Sequence, residues 1–407
     1  MFIKSRYIVL ENEIVEDGIL EIREGIVQSI YKNPSDISRI LEGVEEVSFT
    51  KWKKKEESSN YENRICINFG ENIISPGFVD THIHGYMGCD IMDNSVEAIK
   101  TISREVLNIG VTSFLATTLT ASEETLDEVV STIAKAKEEC EGAKIRGIFL
   151  EGPFFTEKHK GAQNPEYFSS PNIKALKKWQ LSANGLIKKI AIAPEYEGSC
   201  EFIKQAKEIG INVALGHSDA TYEEASNAVK SGANIFVHTY NAMSPLHHRN
   251  PGMVGAAFTH DESYAELICD GHHVHPAAAD VLMRCKGYEK IVLITDCMMA
   301  GGMKDGEYKL GEFEVYVGDG TARLKEGNLA GSILKLKDGI KNIINWGLAT
   351  PFEAIQMASL MPAKSVGIDD VCGKIDIGRD ADFAIINSET YDIEAVMSSG
   401  NLVIYNI

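Results

Sequence analysis

The sequence predicts an α/β fold, a (β/α)8 TIM-like barrel with a small flanking β-sandwich domain built from both chain termini. Three observations predict it. From Phe78 onward eight apolar runs alternate with longer amphipathic stretches, both ends of the chain read as short strands and turns, and 407 residues accommodate a barrel of about 250 residues with a modest second domain. The expected division is 1–75 with 372–407 for the small domain and 76–371 for the barrel.

Each element follows from local pattern. The start, MFIKSRYIVLENEI, alternates charged and apolar residues, so it reads as a strand and never builds the apolar stretch of about 7 to 15 residues that a secretory signal needs. Tight reversals are expected at Asp17-Gly18 and Glu24-Gly25, where the dipeptides favour positive φ. Lys51 to Asn60, KWKKKEESSN, is densely charged and then polar, and reads as a solvated loop or hairpin tip. The eight apolar runs are FVDTHIH, VTSFLATT, IRGIFLEG, IKKIAIAPE, INVALGHS, ANIFVHTY, AELICDG and KIVLITD. Between them lie segments such as SEETLDEVVSTIAKAKEEC and TYEEASNAVKSG, whose apolar stripe repeats at helical spacing. Past Asp296 a strand pair around GEFEVYVGDGTARL precedes helices near Ile333 to Trp346 and Phe352 to Ser359, and the tail returns to strands.

Composition bounds the function classes. A hydrophobic fraction of 44% with 24% charged residues is globular, and no apolar run approaches the roughly 18 residues of a membrane span. The net charge of −19 opposes attraction to nucleic acid or an anionic membrane, so neither is expected as a partner. A phosphorylated substrate would need locally placed cations. The eight cysteines include no Cys-x-x-Cys pair, which argues against a zinc knuckle or a disulfide framework and for reduced thiols in the cytoplasm.

In a β/α barrel the active site lies at the C-terminal ends of the strands, so polar residues ending an apolar run carry the chemistry. The first run ends in His82-Ile83-His84, and side chains two apart in a strand share a face. The third ends in Glu151, the fifth in His217 and the sixth in His238; His273 follows the seventh, and the eighth ends in Asp296. One histidine at a strand end is more often a hydrogen-bonded residue than a ligand. Seven such groups on the expected catalytic face instead suit a divalent metal, zinc or iron, with room for water. In LEGPF, Gly152-Pro153 is expected to end the third strand and hold Glu151 at the rim.

At these residues the sequence resembles the N-acetylglucosamine-6-phosphate deacetylase family of the amidohydrolase superfamily. The motifs are PGFVDTHIHG, LEGPF followed by KGAQNP, LGHSDA, HTYNAM with a downstream RNPG, DGHHV, LITDCM, LAGS and the terminal GKIDIGRDADF, and they span nearly the whole chain. The first and last belong to many amidohydrolases, whereas LEGPF, GHSDA, HTYNAM and DGHHV together are specific to the deacetylases. The resemblance implies that Glu151, His217 and His238 hold the principal metal, that Glu151 can bridge to a second ion, and that His82 and His84 help bind it. One or two ions per subunit are therefore expected. It also implies substrate contacts from Ala162, Gln163, Asn241, Ala242, His273 and the Leu329-Ala330-Gly331 turn, and a phosphate contact from Arg249 reaching in from the neighbouring subunit of a homodimer. Gln163 stands where histidine is also common, and Cys297 where alanine is usual.

The activity implied is hydrolysis of N-acetyl-D-glucosamine 6-phosphate to acetate and D-glucosamine 6-phosphate, with Asp296 as general base and acid and His273 polarising the carbonyl oxygen. The alternative within enzymes is a related amidohydrolase acting on N-acetylgalactosamine 6-phosphate or another N-acyl substrate. A non-catalytic relative that had lost its ligands is disfavoured because every proposed ligand and the base are present.

Overall fold

The computed structural model describes residues 1–55 and 65–403. Strand Phe2–Val9 is central to the terminal sheet. It pairs antiparallel with Ile14–Arg23, which pairs in turn with Ile26–Tyr31. On its other edge Ile65–Asn68 and Ile73–Pro76 lie parallel to its two halves. Ile73–Pro76 then pairs with Phe383–Ile386, placing Ile74 opposite Ile385, and Ile393–Ser398 and Asn401–Val403 follow. The two chain ends thus meet in one nine-stranded mixed sheet that branches at Phe2–Val9, around a core including Ile3, Leu20, Ile67, Phe383 and Met397.

Several local expectations change. Glu24 and Gly25 take φ of 52° and 77° and make the predicted hairpin turn. Asp17 also has a positive φ of 51°, but its strand continues through Gly18. The reversal falls earlier, where Leu10 N–H donates to Glu13 O at 2.9 Å. Phe49–Lys55 forms a helix where a charged loop was expected, and 56–64 lie outside the described residues. The strand pair after Asp296 is a three-stranded antiparallel sheet, Gly306–Leu310, Phe313–Gly318 and Thr321–Leu324.

The eight predicted runs become the eight strands of a parallel sheet, paired in chain order. They are Phe78–Ile83, Val111–Thr118, Lys144–Phe154, Ile187–Ile192, Asn212–Leu215, Ile235–Phe236, Tyr264–Ile268 and Ile291–Ile294, numbered here first to eighth. The first and eighth meet just above their ends, where Asp296 N–H donates to His82 O at 2.8 Å and His84 N–H to Cys297 O at 2.9 Å. This seam sets the eighth-strand carboxylate beside the first-strand histidines.

Helices cover the outside. Glu123–Glu139 buries Leu126, Val129, Val130 and Ile133 on one stripe, and Ser122 caps it by accepting from Thr125 N–H. Inside, Val79, Leu115, Phe149, Ala191, Ala214 and Ile235 fill the lumen, so the barrel is a packed core and chemistry is confined to its mouth. Lys144, on the third strand, ties the barrel to the terminal segment through Asp380 and Asp382, each at 2.7 Å. Among the described residues no helix is long and apolar enough to cross a membrane. All eight cysteines are free thiols.

Candidate metal centre

The mouth of the barrel brings together two triads, His82 with His84 and Asp296, and Glu151 with His217 and His238. All six are buried. Backbone geometry does part of the aiming: His217, His238 and Asp296, each just past a strand end, have φ of 47°, 30° and 50°. Non-glycine residues seldom occupy this left-handed region, and such strain concentrates at functional sites. Gly152 and Pro153 do not terminate the third strand. It runs on to Phe154, and its register with the fourth slips between Glu151 and Phe154, so the pair makes an irregularity directly after the carboxylate.

The second nitrogen of each imidazole shows what the first is free to do. His217 Nδ1–H donates to His159 O at 3.0 Å, His238 Nδ1–H to Asn241 O at 3.1 Å, and His82 Nδ1–H to Glu266 Oε2 at 3.1 Å. In all three the proton of the neutral ring sits on Nδ1, so Nε2, facing the pocket, is the nitrogen that would ligate a metal. His217 Nε2 and His238 Nε2 stand 3.1 Å apart, and Glu151 Oε1 lies 3.4 and 3.3 Å from them. Two bare lone pairs at that distance repel, whereas donors at 2.0–2.1 Å from one tetrahedral ion are separated by about 3.3 Å. The buried His82 Nε2 has no hydrogen-bond partner, and lies 3.3 Å from both Glu151 Oε1 and Asp296 Oδ1. His84 Nε2 lies 3.3 Å from Glu151 Oε2 and 3.2 Å from Asp296 Oδ1. The residues fit a divalent metal, and Glu151 faces both triads.

Electrostatics agree. Burial alone would raise Glu151 and Asp296, but the neighbouring imidazoles outweigh it and hold both carboxyls below their ordinary values. Burial lowers the His82 and His84 imidazoles, yet Asp296 and Glu151 push them up to about 9 and about 10. Burial lowers the His238 imidazole below its ordinary value. The cluster demands positive charge, which a cation would supply.

Around the triads is a cavity of about 290 Å³, lined by Ala162, Gln163, Asn241, Ala242, His273, Leu329 and Gly331 among the predicted substrate residues. Gln163 also braces the centre: Nε2–H donates to Glu151 Oε2 at 2.7 Å, and Oε1 accepts from Thr120 N–H at 2.9 Å. Ala330 is fully buried, and its N–H donates to Ala322 O. His273 lines the cavity outside both triads, with Nδ1–H donating to Asp270 Oδ2 at 2.6 Å. Arg249 is exposed and does not line the cavity of its own chain.

Sequence reading missed four charged residues. Glu195 accepts from Thr156 Oγ1–H, Ser218 Oγ–H and Asp219 N–H, fastening the loop that carries His217. Asp270 orients His273 and is held below its ordinary value because that bond outweighs burial. Lys189 and Glu266 pair inside the barrel. The available signal for the last two was a charge inside an otherwise apolar run, IKKIAI and AELI. Gly161 is also required, since its φ is 56° and a Cβ there would lie 3.2 Å from His217 Cε1.

Residues 73–403 match the family model described as the amidohydrolase family. The chain is 43% identical over 340 residues to an N-acetylglucosamine-6-phosphate deacetylase of Vibrio furnissii, covering 83% of this chain and 84% of that one. It is 40% identical over 331 residues to an N-acetylgalactosamine-6-phosphate deacetylase of Escherichia coli O157:H7, covering 81% and 87%. The crystal structure of an N-acetyl-D-glucosamine-6-phosphate deacetylase from Mycobacterium smegmatis superposes with a TM-score of 0.87 at 27% identity, covering 99% and 100%.

Proposed function

We propose a substrate and a division of labour for this chain, which belongs to the amidohydrolase superfamily and, within it, to the N-acetylglucosamine-6-phosphate deacetylase family. It is a metal-dependent hydrolase that deacetylates an N-acetyl amino-sugar phosphate at the two facing triads. Within that class the substrate is N-acetyl-D-glucosamine 6-phosphate, and the products are acetate and D-glucosamine 6-phosphate. The observation that carries this reading is the pair of triads sharing Glu151, with three imidazoles presenting Nε2 to one pocket.

Glu151, His217 and His238 would hold one ion, and His82, His84 and Asp296 a second, with zinc or iron suited to this mixture of imidazole and carboxylate. A divalent ion bound there supplies Lewis acidity to the acetamide carbonyl and lowers the pKa of water from about 15.7 to about 7. The protein's own groups move the proton. Asp296 takes it from the attacking water and passes it to the leaving nitrogen, so that the C–N bond breaks to give a neutral amine and acetic acid, which leaves as acetate once its remaining proton is lost to solvent. His273, its Nδ1–H anchored by Asp270, would donate from Nε2 to the carbonyl oxygen as negative charge develops there, a role in which the ring carries a proton on both nitrogens. Ala162, Asn241, Ala242, Leu329 and Gly331 line the cavity that receives the sugar.

The phosphate needs a cation, and among the described residues no Lys or Arg lines the cavity of one chain. Arg249 of a second copy in a homodimer would supply it. Its place in the chain supports this: it follows by three residues the exposed Leu246, which with Tyr240, Pro245, Val254, Phe258 and Val281 lines an apolar patch. The free thiols support a reducing compartment, and we place the enzyme in the cytoplasm.

The 40% identity to a galactosamine-type relative favours N-acetylgalactosamine 6-phosphate as the second reading. Acetate release from both epimers, measured alongside metal content, tests the assignment. Higher kcat/KM on the gluco substrate, lost on metal removal and restored on reloading, is expected. A preference for the galacto epimer would replace it.

A further inference from the structure

Beneath the two triads lies a buried ion pair that no ligand set requires. Lys189 of the fourth strand and Glu266 of the seventh are 0% and 1% exposed, and the Lys189 ammonium donates to Glu266 Oε1. Lys189 Nζ also donates to Thr81 O at 3.4 Å and sits 3.6 Å from the centre of the Phe149 ring. Phe149 in turn meets the His82 ring edge to face, with centroids 4.9 Å apart. The second oxygen of Glu266 reaches upward, accepting from His82 Nδ1–H at 3.1 Å and from His238 N–H at 3.2 Å. One carboxylate is therefore hydrogen-bonded to a member of each triad.

Burying two charges is costly, and a buried ion pair is seldom retained for stability alone, since apolar residues of similar volume often serve as well. Its geometry shows another use. A neutral imidazole carries one ring proton, and only an acceptor at Nδ1 keeps that proton away from Nε2. For His82 that acceptor is Glu266.

We propose that Glu266, held in place by Lys189, is a positioning residue that keeps His82 in its metal-binding tautomer and thereby decides whether the centre retains its second ion. The proposal rests on the two-ion reading above. Lys189 balances the charge of Glu266 and occupies Oε1, so that Oε2 is the oxygen left for His82 and His238. The ion held by Glu151, His217 and His238 depends on this less, because the Nδ1–H groups of His217 and His238 are held by the carbonyls of His159 and Asn241.

The test is E266Q. Its amide oxygen would be drawn to Lys189, which turns the amide N–H toward His82 Nδ1 and drives the ring proton to Nε2. E266M combined with K189M removes the acceptor and both buried charges at similar volume, and guards against misfolding. Metal-free proteins are titrated with cobalt(II), followed by visible absorption, and ion content is measured after purification. Wild type should hold two ions, and both variants should hold one tightly, with the second weakened about 10- to 100-fold and the metal-free melting temperature of the double variant near wild type. Two ions at wild-type affinity in both variants would overturn the positioning role. Equal weakening of both ions with a large fall in melting temperature would also overturn it, because a merely structural pair behaves that way. A single ion in wild type would instead overturn the two-ion reading on which the proposal stands.

Discussion

Three pocket histidines give their Nδ1–H to an oxygen, and those oxygens are of different kinds: two backbone carbonyls and one carboxylate. The common result is an Nε2 aimed at one point, the property that turns histidines at strand ends into ligands. Asp296 Oδ1 sits 3.3 Å from His82 Nε2 and 3.2 Å from His84 Nε2 and at the edge of the cavity, so one side chain is placed both to ligate and to move a proton. D296N keeps the shape and removes the base; kcat should fall about 10²- to 10⁴-fold while KM and the ion at Glu151 are largely kept. Near-normal turnover would remove Asp296 from the mechanism.

Far from the pocket, Lys286 donates to His260 O at 2.5 Å and Ser263 Oγ at 3.2 Å, and burial pushes its ammonium down to about 8 from 10.5. Because the folded value lies below the unfolded one, the unfolded chain binds more protons between about pH 8 and 10.5. The penalty for burying this charge is fully present below pH 8 and is relieved as pH rises through that window. The stability of wild type relative to K286M should therefore increase by about 1–2 kcal/mol from pH 7.5 to 10, discounted for solvent screening. A difference that stays flat across that range would contradict the assigned shift.

At the scale of elements, short capped helices hold the strand ends at fixed height. Tyr222–Ser231 begins five residues after His217 in a reciprocal cap: Glu224 N–H donates to Thr221 Oγ1 at 3.2 Å, and Thr221 N–H to Glu224 Oε2 at 2.8 Å. T221A should cost about 1 kcal/mol of unfolding free energy with an unchanged denaturant slope. Because Glu195 separately anchors Ser218 and Asp219, the ion at His217 should survive, which metal analysis would check. The three-stranded sheet 306–324 adds a different element, a wall: Leu310 from its first turn closes the cavity opposite the triads.

For the whole molecule, the missing cation is the decisive feature, since an acidic chain must still bind a phosphate. R249A should raise KM for the phosphorylated substrate about 10- to 100-fold with kcat little changed. Subunit mixing locates the arginine: R249A chains mixed with D296N chains should regain activity if Arg249 of the D296N chain completes the site in which the R249A chain keeps Asp296. No recovery in verified mixed dimers would place Arg249 in its own chain's site or outside catalysis.

Sequence alone determined the eight strand and helix units, because apolar period and glycine or proline punctuation act over a few neighbouring residues. It also placed His82, His84, Glu151, His217, His238 and Asp296 at strand ends, since chain direction in a barrel dictates which end carries chemistry. The tertiary structure decided how those groups are completed. Glu266 reaches Lys189 across 77 positions and His82 across 184, and partners so far apart leave no periodic trace in the chain. The Asp17-Gly18 reversal failed for a related reason: strand pairing with Phe2–Val9 overrode a local turn preference that had nothing but two residues behind it.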